Sequence, residues 1–151
     1  MRKQPASQTN PAEIVSVLSV SPMEEDHFSL QEIFSHSKWK LYKTHSLASA
    51  LAFLKVQKTP VVLCESDLRP GTWRELLERI ASLDFAPTFI VSSRLADDRL
   101  WAEALNLGAW DVLAKPFDKS EVFHSVSVAW LHWKHQRERP AAAMKLMRAA
   151  G

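Results

Sequence analysis

The sequence predicts a doubly wound parallel α/β domain, and three observations carry that prediction. Short apolar, β-branched runs recur along the chain at Ile14 to Val20, Val61 to Cys64 and Thr88 to Val91, each able to lie buried on both faces of a sheet. Stretches with apolar residues at helical spacing follow the strands, so that strand and helix alternate five times. The connections are short, which winds the helices back onto the two faces of one sheet.

Each element has its own justification. After the first strand, Ser21-Pro22-Met23-Glu24 offers a side-chain oxygen at an N-cap, proline at the first helical position and glutamate three residues past the cap. The helix that this predicts carries Phe28, Leu30, Ile33 and Phe34 and stops at Ser35-His36-Ser37. Trp39 to Lys43 alternates apolar and charged residues, as a strand near a sheet edge does. From Ser46, Leu47, Ala50, Leu51, Phe53 and Leu54 define the second helix, and Pro60 closes the connection after it. The third strand ends abruptly in Glu65-Ser66-Asp67, Arg69-Pro70-Gly71-Thr72 turns, and Trp73, Leu76, Leu77 and Ile80 mark the third helix. The fourth strand ends in Ser92-Ser93-Arg94. Asp97 caps a helix through Leu100, Trp101, Ala104, Leu105 and Leu107 that Gly108 terminates. Asp111 to Ala114 is the last strand, closed by Lys115-Pro116, and Asp118-Lys119-Ser120-Glu121 opens a final helix through Val122, Phe123, Val126, Ala129, Trp130 and Trp133. Residues 1–12 read as a flexible leader, 13–135 as the domain and 136–151 as a basic C-terminal tail or helix extension.

Composition excludes several classes. With 151 residues, 46% apolar and 24% charged, and a formal charge of +2, the chain is not disordered, coiled-coil or strongly basic. Its single cysteine, Cys64, reads as a small buried hydrophobe, and no charged-then-apolar leader opens the chain, so a cytoplasmic location is expected. No apolar run approaches the ~20 residues of a membrane span. Only three glycines, Gly71, Gly108 and Gly151, leave little material for backbone phosphate cradles.

In such sheets ligands sit beyond the carboxyl ends of the strands, so the informative residues are Ser21-Pro22, Glu65, Ser92-Ser93 and Lys115-Pro116. The segment Leu107-Gly108-Ala109-Trp110-Asp111-Val112-Leu113-Ala114-Lys115-Pro116-Phe117-Asp118 resembles the fifth-strand signature of response-regulator receiver domains, and Glu75 to Ile80 resembles their third helix. The resemblance spans about Ile14 to Trp133 and implies a flavodoxin-like five-stranded parallel sheet of order 2-1-3-4-5.

It also implies a site. In that family an aspartate ending the third strand accepts a phosphoryl group from a histidine kinase, an acidic pair after the first strand holds Mg²⁺, and a hydroxyl residue and a lysine contact the phosphoryl group. Here Ser92 and Lys115 match the hydroxyl and the lysine. Aligning the third helix without gaps puts Glu65 at the acceptor position; anchoring on Pro70 puts Ser66 there, with Asp67 adjacent. The acidic pair falls on Ser21 and Pro22, which do not ligate Mg²⁺ as carboxylates do, so no cofactor is expected. Glu24, Glu25 and Asp26 read as the acids a helix start favours. Lys115 needs a buried partner, and Glu65 is expected to supply it. The family's rotating fifth-strand aromatic falls on Val112, with Trp110 two residues away on the same strand face, and a cis bond is implied at Lys115-Pro116.

The expected function is that of a stand-alone, atypical receiver domain in phosphorelay signalling, non-enzymatic and acting by contact with a histidine kinase or downstream effector. The alternative is a phosphorylation-independent adaptor or dimerisation module. Trp101, Trp110, Trp130 and Trp133 are expected to contribute an interaction or homodimer surface on the fourth helix, fifth strand and fifth helix. His124, His132 and His135 lack the carboxylates or cysteines of a metal ligand set. From Lys134 onward five basic residues and one acid give a net +4, read as a solvated helix extension; neither membrane nor nucleic acid is an expected partner. A flavin protein would need a glycine- and hydroxyl-rich loop where this chain has Ser21 to Asp26 with three acids and no glycine.

Overall fold

The computed structural model describes residues 14–150, with side-chain surroundings through residue 138. Ten elements alternate: β1 (Ser16–Val20), α1 (Glu24–Phe34), β2 (Lys40–Thr44), α2 (Leu47–Val56), β3 (Val61–Glu65), α3 (Trp73–Ile80), β4 (Thr88–Ser93), α4 (Asp98–Asn106), β5 (Asp111–Ala114) and α5 (Lys119–Ala150). The strands form one parallel sheet in the order β2-β1-β3-β4-β5. The central strands β3 and β4 are buried at every residue, whereas β2 at the edge does not show the expected alternation: Lys40 and Lys43 are exposed and the adjacent Leu41 and Tyr42 are both half-buried.

The pleat sends alternate residues to two cores. Leu18, Val20, Val62, Cys64, Phe89, Val91 and Val112 meet α2, α3 and α4 through Leu51, Trp73, Leu76, Ile80 and Ala104. Val17, Val61, Leu63, Ile90 and Leu113 meet α1 and α5 through Leu30, Phe34, Val122, Val126 and Ala129. Phe34, Trp39 and Phe123 add edge-on and tilted ring contacts, with centroids 4.7 to 5.6 Å apart.

Side-chain caps set most helix starts. Ser46 accepts from Ser49 N at 3.1 Å, Thr72 from Glu75 N at 3.1 Å, Asp97 from Leu100 N at 2.9 Å and Asp118 from Glu121 N at 3.0 Å. Gly108, at φ 107°, ends the α4 segment in a conformation that L side chains resist. The peptides before Pro70 and Pro116 are cis.

Three expectations need correction. The first helix begins at Glu24 with Met23 at its N-cap and no side-chain cap, because the Ser21 hydroxyl is engaged elsewhere. Trp110 does not share a face with Val112: it precedes β5, where strand alternation has not begun, and it packs with the α1/α5 core while Val112 packs with the other. Trp133 is core and not surface, at 8% exposure. Trp110 and Trp130 are half-buried, and Trp101 alone of the four is exposed, at 48%. Among the described residues no helix is long and apolar enough to cross a membrane.

Candidate functional site

The strand order reverses beside β1, whose neighbours are β2 on one side and β3 on the other. The carboxyl ends there open a crevice between diverging connections. Glu65 is the last residue of β3 and is 4% exposed, and its ladder partner is Ser92 of β4, itself 3% exposed. Lys115 follows β5 and is tied to β4 by its backbone N–H, which donates to Ser93 O at 3.0 Å.

Its ammonium reaches back across the crevice. Lys115 Nζ lies 2.5 Å from Glu65 Oε1, as expected, with both side chains about 5% exposed. That contact is out of hydrogen-bond alignment and acts as a bare charge contact. Glu65 Oε2 is directed by donors, accepting from Asp67 N at 2.8 Å and Ser66 Oγ at 3.2 Å. Ser66 thus supports Glu65, and the exposed Asp67 carboxylate turns outward to Arg69 at 2.8 Å.

The same ammonium holds a residue that the sequence offers only as one of three helix-start acids. Lys115 Nζ donates to Asp26 Oδ1 at 2.9 Å and to Oδ2 at 2.8 Å, and Asp26 is 5% exposed. Ser21 Oγ donates to Asp26 Oδ2 at 2.7 Å and accepts from Met23 N at 3.0 Å. The hydroxyl therefore orients a carboxylate instead of capping the helix. A signal for this was present: Asp26, Leu30 and Phe34 stand four residues apart, so Asp26 lies on the buried stripe of α1. The dipole argument explains an acid in that turn and says nothing of which way it faces.

His27 locks this arrangement from beneath. Its ring is fully buried, with Nε2 2.9 Å from the Ser21 carbonyl and Nδ1 2.9 Å from Ser19 Oγ. Since a carbonyl only accepts, Nε2 carries the proton and neutral Nδ1 accepts from Ser19. Burial holds the imidazole pKa below its ordinary value. Burial likewise pushes the Cys64 thiol far up, as suits an inert core residue. At the mouth, a cavity of about 80 Å³ is lined by Asp26, Arg94, Lys115 and Phe117, and Arg94 pairs with Glu25 at 3.2 Å.

A flavodoxin-like sheet with buried carboxylates, a hydroxyl and a cis-proline-flanked lysine at its carboxyl edge defines the class of domain. The sequence profile described as "Response regulator receiver domain" matches residues 23–127. Among solved structures, the signal receiver domain of an HD domain-containing protein from Pseudomonas fluorescens Pf-5 is 27% identical with a TM-score of 0.76, covering 83% of this chain and 93% of that one. A CheY-like response regulator receiver domain protein from Methanospirillum hungatei JF-1 is similar in fold at 17% identity, with a TM-score of 0.73 and coverage of 82% and 99%. The chemotaxis response regulator CheY4 of Vibrio cholerae is 14% identical with a TM-score of 0.69, covering 78% and 99%. No curated protein sequence matches. The chain belongs to the response-regulator receiver domain family.

Receiver domains bind Mg²⁺ at their acidic pocket, and the residues here do not fit that ion. Mg²⁺ demands oxygen ligands in near-octahedral array at about 2.1 Å. The facing oxygens of Asp26 and Glu65 are occupied by Lys115 Nζ, Ser21 offers a neutral hydroxyl already used twice, and Pro22 offers no side-chain oxygen. The ammonium stands where a cation between the two carboxylates would stand.

Proposed function

We propose that this receiver domain is an atypical one whose signalling state is set by a built-in ion-pair cluster and by its protein partner, with Glu65 in place of the phosphorylatable aspartate. The carrying observation is the position of Lys115 Nζ between Asp26 and Glu65, all three side chains buried. A glutamate reaches the ammonium directly, which an aspartate one methylene shorter reaches through its phosphoryl group. Its carboxylate is a weak stand-in for that group, since it brings one negative charge where a phosphoryl brings about two. No metal takes part, because the ammonium already stands between the two carboxylates that a metal would otherwise bridge.

Output by contact is supported by the fourth-helix side of the domain. Trp101 is 48% exposed on α4, with Leu95 and Leu107 exposed at 76% and 51% at its ends. Apolar residues grouped in this way suit a partner or a second copy better than water. Valine at position 112 cannot rotate as an aromatic does, so the state of this surface does not depend on the hydroxyl-aromatic coupling of phosphorylated relatives. The test is incubation of the chain with Mg²⁺ and acetyl phosphate, followed by intact-mass measurement. The expected result is an unchanged mass; a stable gain of one phosphoryl group overturns the proposal.

A further inference from the structure

At the opposite end of the sheet, below the amino ends of β4 and β5, lies a cavity of about 480 Å³ that the phosphorelay chemistry does not use. That volume falls within the roughly 300–1,000 Å³ of small-molecule sites. Its walls are rings. Phe89, 1% exposed, contributes to the wall, and Trp110 and His132 stack with centroids 4.4 Å apart and planes 23° from parallel. Trp133 and Phe85 close another side, joined by a hydrogen bond from Trp133 Nε1 to Phe85 O at 3.2 Å.

Small residues keep the space open. A Cβ placed on Gly108, which lines the cavity, would meet nothing within 4 Å. Phe85 has φ 56°, a left-handed conformation that bulky residues adopt at a cost and keep only where their surroundings hold them. Here the indole hydrogen bond holds it.

The charge at the cavity has one sign. Arg137 lines it, with Cζ 4.9 Å from the Trp133 centroid and 5.4 Å from that of Phe85. Among the described residues no carboxylate lines the cavity and no ion pair engages Arg137. A guanidinium whose contacts are ring faces keeps its in-plane N–H donors available for an anion.

We propose that this cavity is a binding site for a small planar aromatic anion, its ring system held among Phe85, Trp110 and Trp133 and its anionic group by Arg137. Flat apolar walls select the ring, and the unneutralised guanidinium selects the charge. The site is independent of the acidic crevice, and its occupation would act on the α5 helix that carries His132, Trp133 and Arg137.

The experiment is calorimetric titration of the full chain with 1-naphthoate and with its neutral isostere 1-naphthamide, accompanied by amide NMR. The expected result is saturable binding of one naphthoate, roughly tenfold or more tighter than the amide, since a hydrogen bond to a charged group adds at least that much. Shift changes are expected at Phe85, Trp110, His132 and Trp133. Arg137→Gln should abolish the preference for the anion. Ala81→Phe, at an exposed residue on the rim whose φ of −62° accepts any side chain, should exclude both probes without disturbing the fold. Absence of saturable binding, equal affinity for the two probes, or undiminished binding to the Ala81→Phe chain would each overturn the proposal.

Discussion

Lys115 and Asp26, 89 residues apart in sequence, are joined by two hydrogen bonds from one ammonium to both oxygens of one carboxylate. Glu65 approaches the same ammonium, so the cluster has formally two acids for one base. The three members are therefore not equivalent. Lys115→Met leaves two buried carboxylates facing each other and should cost the most, about 3–5 kcal/mol or more. Asp26→Asn removes the charge that holds the ammonium and leaves Glu65 as its one anionic partner, and should cost about 2–3 kcal/mol. Glu65→Gln removes the surplus acid and leaves the better-aligned pair, and should change stability by less than about 1 kcal/mol. Urea unfolding of the three variants checks the order; a Glu65→Gln loss as large as that of Lys115→Met would contradict it.

The acid limb of stability should carry a signature of His27. Its pKa is lowered in the folded protein by burial, so folding favours the neutral ring. The stability it contributes is complete above the unfolded value of about 6.5 and is lost as pH falls below that, toward the lower folded pKa. His45, 4.7 Å away ring to ring, opposes protonation, while Glu24 and Asp26 favour it. His27→Gln keeps a donor toward the Ser21 carbonyl and does not titrate. Its stability should fall less than that of the wild type between about pH 6.5 and 5, measured by urea midpoints; identical pH slopes would rule His27 out as the source.

The fold was legible in the sequence because its determinants are local. Strand burial, the cap at Asp97, the helix start at Asp118 and the stop at Gly108 are each written in a few adjacent residues. The Glu65–Lys115 contact was legible as well, since both residues end buried strands and opposite charges at such positions find each other. Asp26 was missed although its spacing to Leu30 and Phe34 puts it on the buried stripe of α1; what that spacing leaves open is the partner, Lys115, which only the folded chain brings to it. Ser21 was misread for a related reason. A serine before a helix satisfies a cap and a carboxylate equally well, and the buried charge of Asp26 is the stronger claimant.

Asp97 offers a local test of α4. Its carboxylate accepts from Leu100 N at 2.9 Å and sits at the positive end of the helix. Asp97→Ala should cost about 1 kcal/mol, and Asp97→Ser or Asp97→Asn only a few tenths. Thermal unfolding of the three variants measures this. Equal losses for alanine and serine would show that the carboxylate works through something other than capping.

The tryptophans divide by burial, and that division separates stability from recognition. Trp133 is 8% exposed, donates to Phe85 O and carries Arg137 on its ring, so Trp133→Ala opens a void and orphans a carbonyl. A loss of about 3–5 kcal/mol is expected. Trp101 is half exposed on α4, so Trp101→Ala should stay within about 0.5 kcal/mol of the wild type. If the α4 side is the contact surface, the same change weakens association, and a central aromatic contact of this kind is worth about 2 kcal/mol or more, some thirtyfold in affinity. Sedimentation measures self-association and chemical denaturation measures stability on the same two variants. A Trp101→Ala chain as unstable as Trp133→Ala would return Trp101 to the core and remove it from the surface.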